Sequence, residues 1–211
     1  MERKEDISYN GNGRNRCFLP KEVLYHKGDR IERVILIRQG LVKLVSYLPN
    51  GRARIVRLHC NNHWLGLEGL VEPCFEHTAI AVSGVDAMQI PLKTFQRMQQ
   101  DDPGQFYQVM RQGYEDLFQA DRWIADFSTG EIKPRVARLL EYLAELEYGQ
   151  PRDRIELLTV NEMAEILGVT PESVSHHIAA FKRAAILMKD GDPLHDLYQL
   201  DVARLQQEAR K

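Results

Sequence analysis

The chain has 211 residues, of which 44% are hydrophobic, and its formal net charge is −2. This hydrophobic content argues against wholesale disorder, and the length fits one large domain or two small ones. The polar N-terminus lacks the apolar core of a secretion signal, and no apolar run approaches the ~18–20 residues that span a bilayer, so the chain is expected to be cytoplasmic with no membrane partner. The three cysteines are few and odd in number, so their thiols are expected to be reduced.

The first half of the chain is predicted to be rich in β-strands. Residues 1–16 are polar and rich in Gly and Asn, which predicts a mobile arm. Residues 17–101 then show β-branched runs cut by turn signals such as Gly40, and Asn50-Gly51 between two apolar runs predicts a tight hairpin. Strands at this spacing predict a small sandwich or roll.

A heptad stripe marks residues 102–128 as one long helix. Apolar or small residues recur there at alternating spacings of four and three, which favours pairing with the same helix of a second chain. The alternative is a helix packed on the core of its own domain. The predicted dimer seam consists of Phe106, Met110, Gly113, Leu117, Ala120, Ile124 and Phe127.

The most informative segment lies within residues 129–211. Thr159 and Glu162 have the spacing of a capping box at the start of one helix. Gly168 supplies the left-handed residue that ends it, and Thr170 followed by Pro171 begins a second helix. Two helices joined by a short turn that contains Gly predict a helix-turn-helix.

In a helix-turn-helix the second helix enters the major groove of double-stranded DNA. Glu172 can accept a hydrogen bond from a cytosine amino group, and Ser175 can contact a base or a phosphate. Basic side chains one or two turns later can contact phosphates. The predicted DNA-contacting residues are Thr170, Glu172, Ser173, Ser175, His176, Ala179, Lys182 and Arg183.

The charge of this region counts against strong DNA binding. Residues 131–211 contain 11 basic and 14 acidic residues, a net charge of −3, and the expected wing carries Asp190, Asp192 and Asp196. Because affinity for DNA depends on neutralised phosphates, weak binding or a need for an activating signal is expected.

The order of these parts resembles the cyclic-AMP receptor/FNR superfamily of bacterial transcription regulators. The resemblance covers about residues 18–205 and rests on Lys27-Gly28-Asp29, on the strand-ending Gln39-Gly40, and on residues 66–70, 133–140 and 159–181. It implies an α+β chain with a jelly-roll β-roll of the cyclic nucleotide-binding type, a dimerisation helix and a C-terminal winged helix-turn-helix. It also implies a homodimer on a palindromic site, and RNA polymerase as a partner if the regulator is an activator.

The departures from the family pattern concern the effector. Relatives that bind cyclic nucleotides use a Gly-Glu pair for the ribose and an Arg-Ser/Thr pair for the phosphate. Aligned on Gly66, the Glu position is Leu67, Glu68 comes one residue later, and the Arg position is His77, followed by Thr78. An imidazole cannot make the forked contact of a guanidinium, so cyclic AMP is not expected as the ligand.

Other effectors of the family leave alternatives open. Three cysteines, Cys17, Cys60 and Cys74, cannot supply a four-cysteine iron–sulfur cluster. One alternative is haem or another metal, with His26, His59, His63 or His77 as a ligand. Another alternative is a thiol redox sensor that uses Cys60 or Cys74. An unidentified small ligand, or none, is the remaining interpretation.

The recognition helix departs from the family as well. Relatives commonly show Glu-x-x-Ser-Arg, whereas this chain has His176 after Ser175. An imidazole cannot present the bidentate donor pair with which that Arg reads guanine, so an altered half-site is expected. His177 lies more to the side and is expected to contact only phosphate.

Two alternative interpretations assign the chain to a protein class other than transcription regulators. A cupin-like metal enzyme could use His59, His63 and Glu68, but the closely spaced His pair followed by Glu is absent, and no nucleophile with its base is recognisable. The chain is therefore not expected to be an enzyme. The acidic wing suggests the other interpretation, an interaction protein with a degenerate helix-turn-helix.

Overall fold

The computed structural model describes residues 13–146, 153–190 and 197–211. It contains two compact units, the first formed by residues up to Ser46 and by Arg57–Gln119, the second by Tyr47–Val56 and Ala120–Lys211. Most of the predicted arm and two predicted wing residues, Asp192 and Asp196, lie outside the described residues. Within the described ranges, no helix combines the length and the apolar character needed to cross a membrane.

Eight strands build the β-roll as two four-stranded sheets. Their orders are β1-β8-β3-β6 and β2-β7-β4-β5, and the strand pairs of β8 with β1 and β3, and of β7 with β2 and β4, are antiparallel. The strands are β1 (Arg14–Phe18), β2 (Val23–Tyr25), β3 (Arg33–Gln39), β4 (Val42–Tyr47), β5 (Ala53–His59), β6 (Trp64–Leu65), β7 (Thr78–Ala81) and β8 (Val85–Pro91).

The core of the roll follows from the two-residue periodicity of its strands. In β3, Ile35 and Ile37 join a cluster that includes residues of β4, β7 and β8, whereas Val34 and Leu36 join a second cluster on the opposite face. Helix α1 (Leu92–Asp101) covers this second face with Phe95 and Met98. Because both faces of β3 are covered, its central residues read as an unbroken apolar run.

The first strand begins earlier than the sequence predicts. β1 starts at Arg14, inside the segment 1–16 for which the composition predicts a mobile arm, and it pairs with β8 from Arg14 opposite Gln89 to Phe18 opposite Val85. The side chains of its first four residues are exposed, so the strand lacks an apolar face that could reveal it in the sequence.

The turns predicted from glycine are confirmed. Leu48 donates its N–H to the carbonyl of Arg52 at 2.9 Å across the Asn50-Gly51 hairpin between β4 and β5. Gly40 ends β3 with φ of 107°, and a Cβ there would lie 2.4 Å from the carbonyl oxygen of Gly84. Both the dihedral angle and the close backbone therefore require glycine at position 40.

The second unit contains the predicted helix-turn-helix and a small sheet. The sheet has three strands in the order β10-β11-β9, and Leu139, Leu140, Ile166, Leu167 and Phe181 are all at most 1% exposed. The long helix α2 (Pro103–Phe127) leads into this unit. The further helices and strands of the unit are α3 (Ile132–Glu145), β9 (Arg154–Glu156), α4 (Val160–Leu167), α5 (Pro171–Arg183), β10 (Leu187–Lys189), β11 (Leu197–Leu200) and α6 (Val202–Ala209).

The two compact units meet inside α2, between Gln119 and Ala120. The last two turns of α2 belong to the second unit because Trp123 and Phe127 pack edge-to-face, 4.9 Å apart, and each also packs against Tyr142 of α3. The heptad pattern runs on through this point, so it gives no sign of the change of packing partner.

The capping box of α4 is formed as predicted. The Thr159 hydroxyl accepts from the N–H of Glu162 at 3.2 Å, and the Glu162 carboxylate accepts from the N–H of Thr159 at 3.0 Å. These bonds satisfy two of the amides that a helix start leaves without partners.

Thr159→Ala is expected to destabilise the first turn of α4 by about 1 kcal/mol, because it removes the oxygen that caps this turn. In hydrogen exchange, the amide of Glu162 should then exchange roughly five times faster. Thr159→Ser keeps the hydroxyl and is the matched control. Equal protection in the wild type and Thr159→Ala would show that the box contributes no stability.

Candidate functional site

The turn between α4 and α5 has the geometry of a helix-turn-helix. Gly168 adopts φ of 66° and donates its N–H to the carbonyl of Ala164 at 2.7 Å, which ends α4. The left-handed backbone conformation is sterically unfavourable for residues that have a Cβ atom, so glycine is favoured at this position. The Thr170 hydroxyl then accepts from the N–H of Ser173 and caps α5, whose first residue is Pro171.

Helix α5 has one buried face and one exposed face. Val174, Ile178 and Phe181 are buried, with exposures of 0%, 6% and 1%. The spacing of four and three residues places these side chains on one side of the helix. Of the predicted DNA-contacting residues, Ser173 and Ala179 are half-buried, and the exposed ones are Thr170, Glu172, Ser175, His176, Lys182 and Arg183.

Local contacts engage three of these predicted contact residues. The hydroxyl oxygens of Thr170 and Ser173 lie 3.1 Å apart within the cap. The Lys182 ammonium donates to the hydroxyl of Tyr198 at 3.0 Å and lies 4.4 Å from the centre of the Tyr198 ring. Tyr198 of β11 was not predicted from the sequence, because it is distant from α5 in the chain and only the sheet brings it close.

The two adjacent histidines of α5 differ in environment. His176 is exposed, whereas Nδ1 of His177 is buried and has no hydrogen-bond partner among the described residues. Burial, followed by the charges of His176 and Lys133, lowers the pKa of His177 below its usual value. A neutral ring at physiological pH can donate one N–H to a phosphate but offers no full positive charge.

A buried arginine that the sequence analysis did not single out connects three helices of this unit. Arg135, on α3, is 8% exposed. Its Nε donates to the carbonyl of Phe127 at 2.9 Å, and its Nη2 donates to the carbonyls of Phe127 and Leu167. The end of α2 and the end of α4 are therefore bonded to the same guanidinium. The sequence carries no signal for this, since an arginine in an amphipathic helix is usually exposed.

Several basic groups of the second unit are already paired with acidic ones. Lys133 lies 2.7 Å from Glu208, and Arg154 of β9 lies 3.3 Å from Asp190 of the wing. The pairing with Arg154 offsets the negative charge of Asp190, the only predicted acidic wing residue among those the structure describes. Phosphate affinity is thus expected to rest on few groups, in line with the net charge of −3.

The predicted effector residues lie where β6, a short 3-10 turn and β7 meet. Gly66 precedes the turn Leu67–Leu70 with φ of 83°, and Leu67 packs against the second apolar cluster of the roll. Burial is the main reason that the pKa of His77 is below its usual value. The hydroxyl of Thr78 accepts from the N–H of Lys27 at 3.0 Å.

These side chains differ from those that the family resemblance assigns to cyclic-nucleotide binding. At the position that the resemblance gives to the ribose, Leu67 packs on the core, and its side chain cannot accept hydrogen bonds from sugar hydroxyls. The phosphate position is His77, whose lowered pKa leaves it neutral at physiological pH. A neutral imidazole lacks both the charge and the forked donors that hold a phosphate in the family.

The predicted dimer seam divides into four parts in the structure. Phe106 and Met110 pack against the second cluster of the roll, so the alternative of packing on the chain's own core applies to them. Phe127 is 1% exposed within its aromatic cluster and cannot reach a partner in this conformation. Leu117 and Ile124 are each 62% exposed. Gly113 and Ala120 are intermediate.

The exposed apolar face of α2 is displaced from the predicted seam by about one residue. Tyr107 and Tyr114 are 69% and 65% exposed, and Phe118 is 62% exposed, next to Leu117 and Ile124. The displacement arises because the first half of α2 also covers the roll, where Val109 is fully buried. The heptad stripe in the sequence therefore combines residues from two faces of α2 that have different packing partners.

Comparisons with known proteins agree with this architecture. A family model for the cyclic nucleotide-binding domain matches residues 15–102, and one for the Crp-like helix-turn-helix domain matches residues 135–208. The transcriptional regulator LdrP of Thermus thermophilus is 30% identical over 200 residues, which are 91% of this chain and 95% of LdrP. The transcriptional activator FnrL of Cereibacter sphaeroides is 24% identical over 92% of this chain and 79% of its own length.

Two solved structures have the same fold. TTHB099, a CRP-family transcriptional regulator from Thermus thermophilus, superposes with a TM-score of 0.79 at 24% identity and covers 93% of this chain and 97% of its own. FixK2 from Bradyrhizobium japonicum gives 0.81 at 19% identity, with 93% and 96% covered.

The fold and the helix-turn-helix define a DNA-binding transcription regulator that is not an enzyme. The chain belongs to the CRP/FNR family of transcriptional regulators. The family suggested by the sequence motifs, and the β-roll and winged helix-turn-helix that the motifs imply, are therefore confirmed.

Arg135→Met is expected to lower the stability of the second unit by roughly 2–4 kcal/mol, because the buried carbonyls of Phe127 and Leu167 lose a charged donor. Urea unfolding followed by the fluorescence of Trp123, with Trp64→Phe to remove the other tryptophan, measures this loss. Arg204→Met, an exposed arginine of α6, is the matched control and should unfold like the parent. Equal midpoints for Arg135→Met and the parent would contradict a stabilising role for these bonds.

Proposed function

We propose that this regulator binds a palindromic DNA site as a homodimer and reads the half-site with the exposed face of α5. The observation that carries the proposal is the division of α5 into a buried face and an exposed face with Glu172, Ser175 and His176 side by side. Helices of this kind place their N-terminal residues against base edges in the major groove. The capped start of α5 supports such a placement, since Thr170 fixes the first turn.

Each exposed residue has a defined chemistry towards DNA. The Glu172 carboxylate only accepts hydrogen bonds, so it selects a cytosine amino group. The Ser175 hydroxyl both donates and accepts and tolerates several partners. His176 can make at most one hydrogen bond at each ring nitrogen and has no donor fork, so we propose a half-site that differs at the base pair which an arginine reads in relatives.

Phosphate contacts are proposed for the basic end of α5. Lys182 and Arg183 are exposed in its last turn, and the hydroxyl of Tyr198 holds the ammonium of Lys182 at 3.0 Å. A held ammonium loses less conformational entropy on binding a phosphate than a mobile one. His177 is not proposed as a main phosphate contact, because its Nδ1 is buried and its pKa is lowered.

The exposed apolar face of α2 is the proposed dimer interface. Tyr107, Tyr114, Leu117, Phe118 and Ile124 are large hydrophobic side chains of α2 that are more than half exposed. Exposed apolar surface of this extent is costly in water and is typical of a helix that pairs with a helix. Pairing along α2 would place two α5 helices to meet half-sites about one helical turn, ~34 Å, apart.

The proposed control is a signal at the β-roll that is not cyclic AMP. Ser128–Gly130, between α2 and α3, is the proposed hinge, and Gly130 has φ of 86°. A signal can shift the equilibrium only by its preference between two arrangements of the dimer. A thiol sensor is less supported for Cys60, which is buried, than for Cys74, which is half-buried. RNA polymerase would be a partner if the regulator activates transcription.

Glu172→Ala is expected to relax the choice of base at one position of each half-site, because it removes the acceptor for the cytosine amino group and costs about 1–3 kcal/mol of discrimination. Selection of DNA from a random pool by the purified protein, followed by sequencing, measures this. Glu72→Ala removes the same charge at an exposed position of the first unit and is the control. An unchanged preference would remove Glu172 from base reading.

Leu117→Glu is expected to convert the dimer into monomers, because two carboxylates would be buried against an apolar interface. Analytical ultracentrifugation gives the mass, and gel shift with the selected site should show at least a tenfold loss of affinity. Gln119→Glu adds the same charge two residues further on and should remain dimeric. A dimer of unchanged stability with glutamate at position 117 would place the interface elsewhere.

A further inference from the structure

Three side chains with metal-ligand chemistry meet in the first unit, apart from the effector residues discussed above. His59 ends β5, His63 lies in the turn before β6, and Asp116 lies on α2. One ring nitrogen of each histidine and one carboxylate oxygen of Asp116 all lie within 4.8 Å of one another. Their distance in sequence means that only the packing of α2 on the roll creates the cluster.

The hydrogen bonds of His63 define which nitrogen faces Asp116. Its Nδ1 lies 3.1 Å from the carbonyl oxygen of Cys60 and 3.2 Å from that of Asn61. Carbonyls only accept, so Nδ1 carries the proton and a neutral ring has its lone pair on Nε2. Nε2 lies 3.5 Å from Oδ1 of Asp116. The ring nitrogen of His63 that can serve as a metal ligand therefore faces the carboxylate of Asp116.

His59 adds a buried imidazole to this pair. It is 5% exposed, and its Nδ1 has no hydrogen-bond partner among the described residues. Burial, followed by the charges of His63 and Arg57, holds the pKa of His59 well below its usual value. A buried nitrogen without a partner is unfavourable unless a ligand satisfies it.

We propose that His59, His63 and Asp116 bind one divalent transition-metal cation of the zinc class. Two imidazoles and one carboxylate with a fourth position for water are a ligand set of open zinc sites. The 3.5 Å between Nε2 of His63 and Oδ1 of Asp116 is close to the edge of a zinc tetrahedron, about 3.4 Å for bonds of about 2.1 Å. The His63 and Asp116 side chains are 15% and 16% exposed, so solvent can reach the fourth position.

Existing contacts hold the ligands in place. The Nδ1–H of His63 bonded to backbone carbonyls is the outer-shell arrangement that orients metal-bound histidines. Arg57 donates to the backbone carbonyl of Asp116, and Gln112 donates to that of Asn62. The β5–β6 segment and α2 are thus already bonded on both sides of the cluster. The metal would add a further link between the roll and α2, and this inference does not depend on the DNA-binding proposal.

Untagged protein, stripped with a chelator and dialysed, is titrated with Co²⁺ as the optical probe and then with Zn²⁺ as the competitor. The expected result is one Co²⁺ per chain with the visible absorption of tetrahedral cobalt, displaced by one equivalent of Zn²⁺. His63→Ala and Asp116→Asn should weaken binding by more than about 100-fold, since loss of outer-shell partners alone costs 10–100-fold. Asp116→Asn keeps the size of the side chain and leaves its backbone bond to Arg57.

His26→Ala removes an exposed histidine of the roll and should bind Co²⁺ like the wild type. Circular dichroism of each variant separates loss of the site from loss of the fold. Metal that binds without tetrahedral absorption, or equally well to Asp116→Asn and the wild type, would overturn the proposal. Absence of stoichiometric binding to the folded wild type would overturn it as well. Metal binding of this kind would support the site whether or not the same protein selects a DNA sequence.

Discussion

The guanidinium of Arg135 connects the three helices on which the second unit is built. It lies on α3 and donates to carbonyls at the ends of α2 and α4, which have no partners within their own helices. Such carbonyls are costly when buried, and a charged donor that serves two helix ends satisfies both at once. The position of α4, and through Gly168 the start of α5, therefore depends on this residue.

The link also bears on how a signal could reach α5. Phe127, whose carbonyl receives Arg135, ends the helix that begins on the β-roll and carries the exposed apolar face. Any rearrangement of α2 must either move α3 and α4 with it or break bonds to a buried cation. Because the second choice is expensive, α3, α4 and the end of α2 are expected to move as one body, and bending at the proposed hinge Ser128–Gly130 would require a signal that offsets the loss of the bond between Arg135 and Phe127.

The electrostatics of the second unit suggest specificity rather than general affinity for DNA. Lys133 and Arg154 are paired with carboxylates, and the region carries a net charge of −3. Nonspecific binding scales with the phosphates that a protein neutralises, so this chain should bind random DNA weakly. In the proposed dimer, binding would then depend largely on base contacts made by two α5 helices together, so a signal that changes the geometry of the dimer would act on these contacts.

The sequence alone determined the local elements and the family. The capping box at Thr159, the left-handed glycine at position 168 and the proline that begins α5 each impose backbone geometry on their own few residues, so they could be read without a fold. The same holds for the Asn50-Gly51 hairpin and for the apolar strands. Departures at Leu67 and His77 were visible for the same reason, since a side chain's chemistry is fixed before folding.

Only the tertiary structure decided which distant residues meet. The heptad stripe of α2 could not reveal that Phe106 faces the roll, that Phe127 faces α3 and that Tyr107 and Tyr114 are exposed, because periodicity defines a helix face but not its partner. Strand β1 was hidden because its pairing uses backbone groups and its first side chains are exposed. The burial of Arg135, the contact of Lys182 with Tyr198 and the cluster of His59, His63 and Asp116 all join residues far apart in the chain, and such contacts arise only from packing.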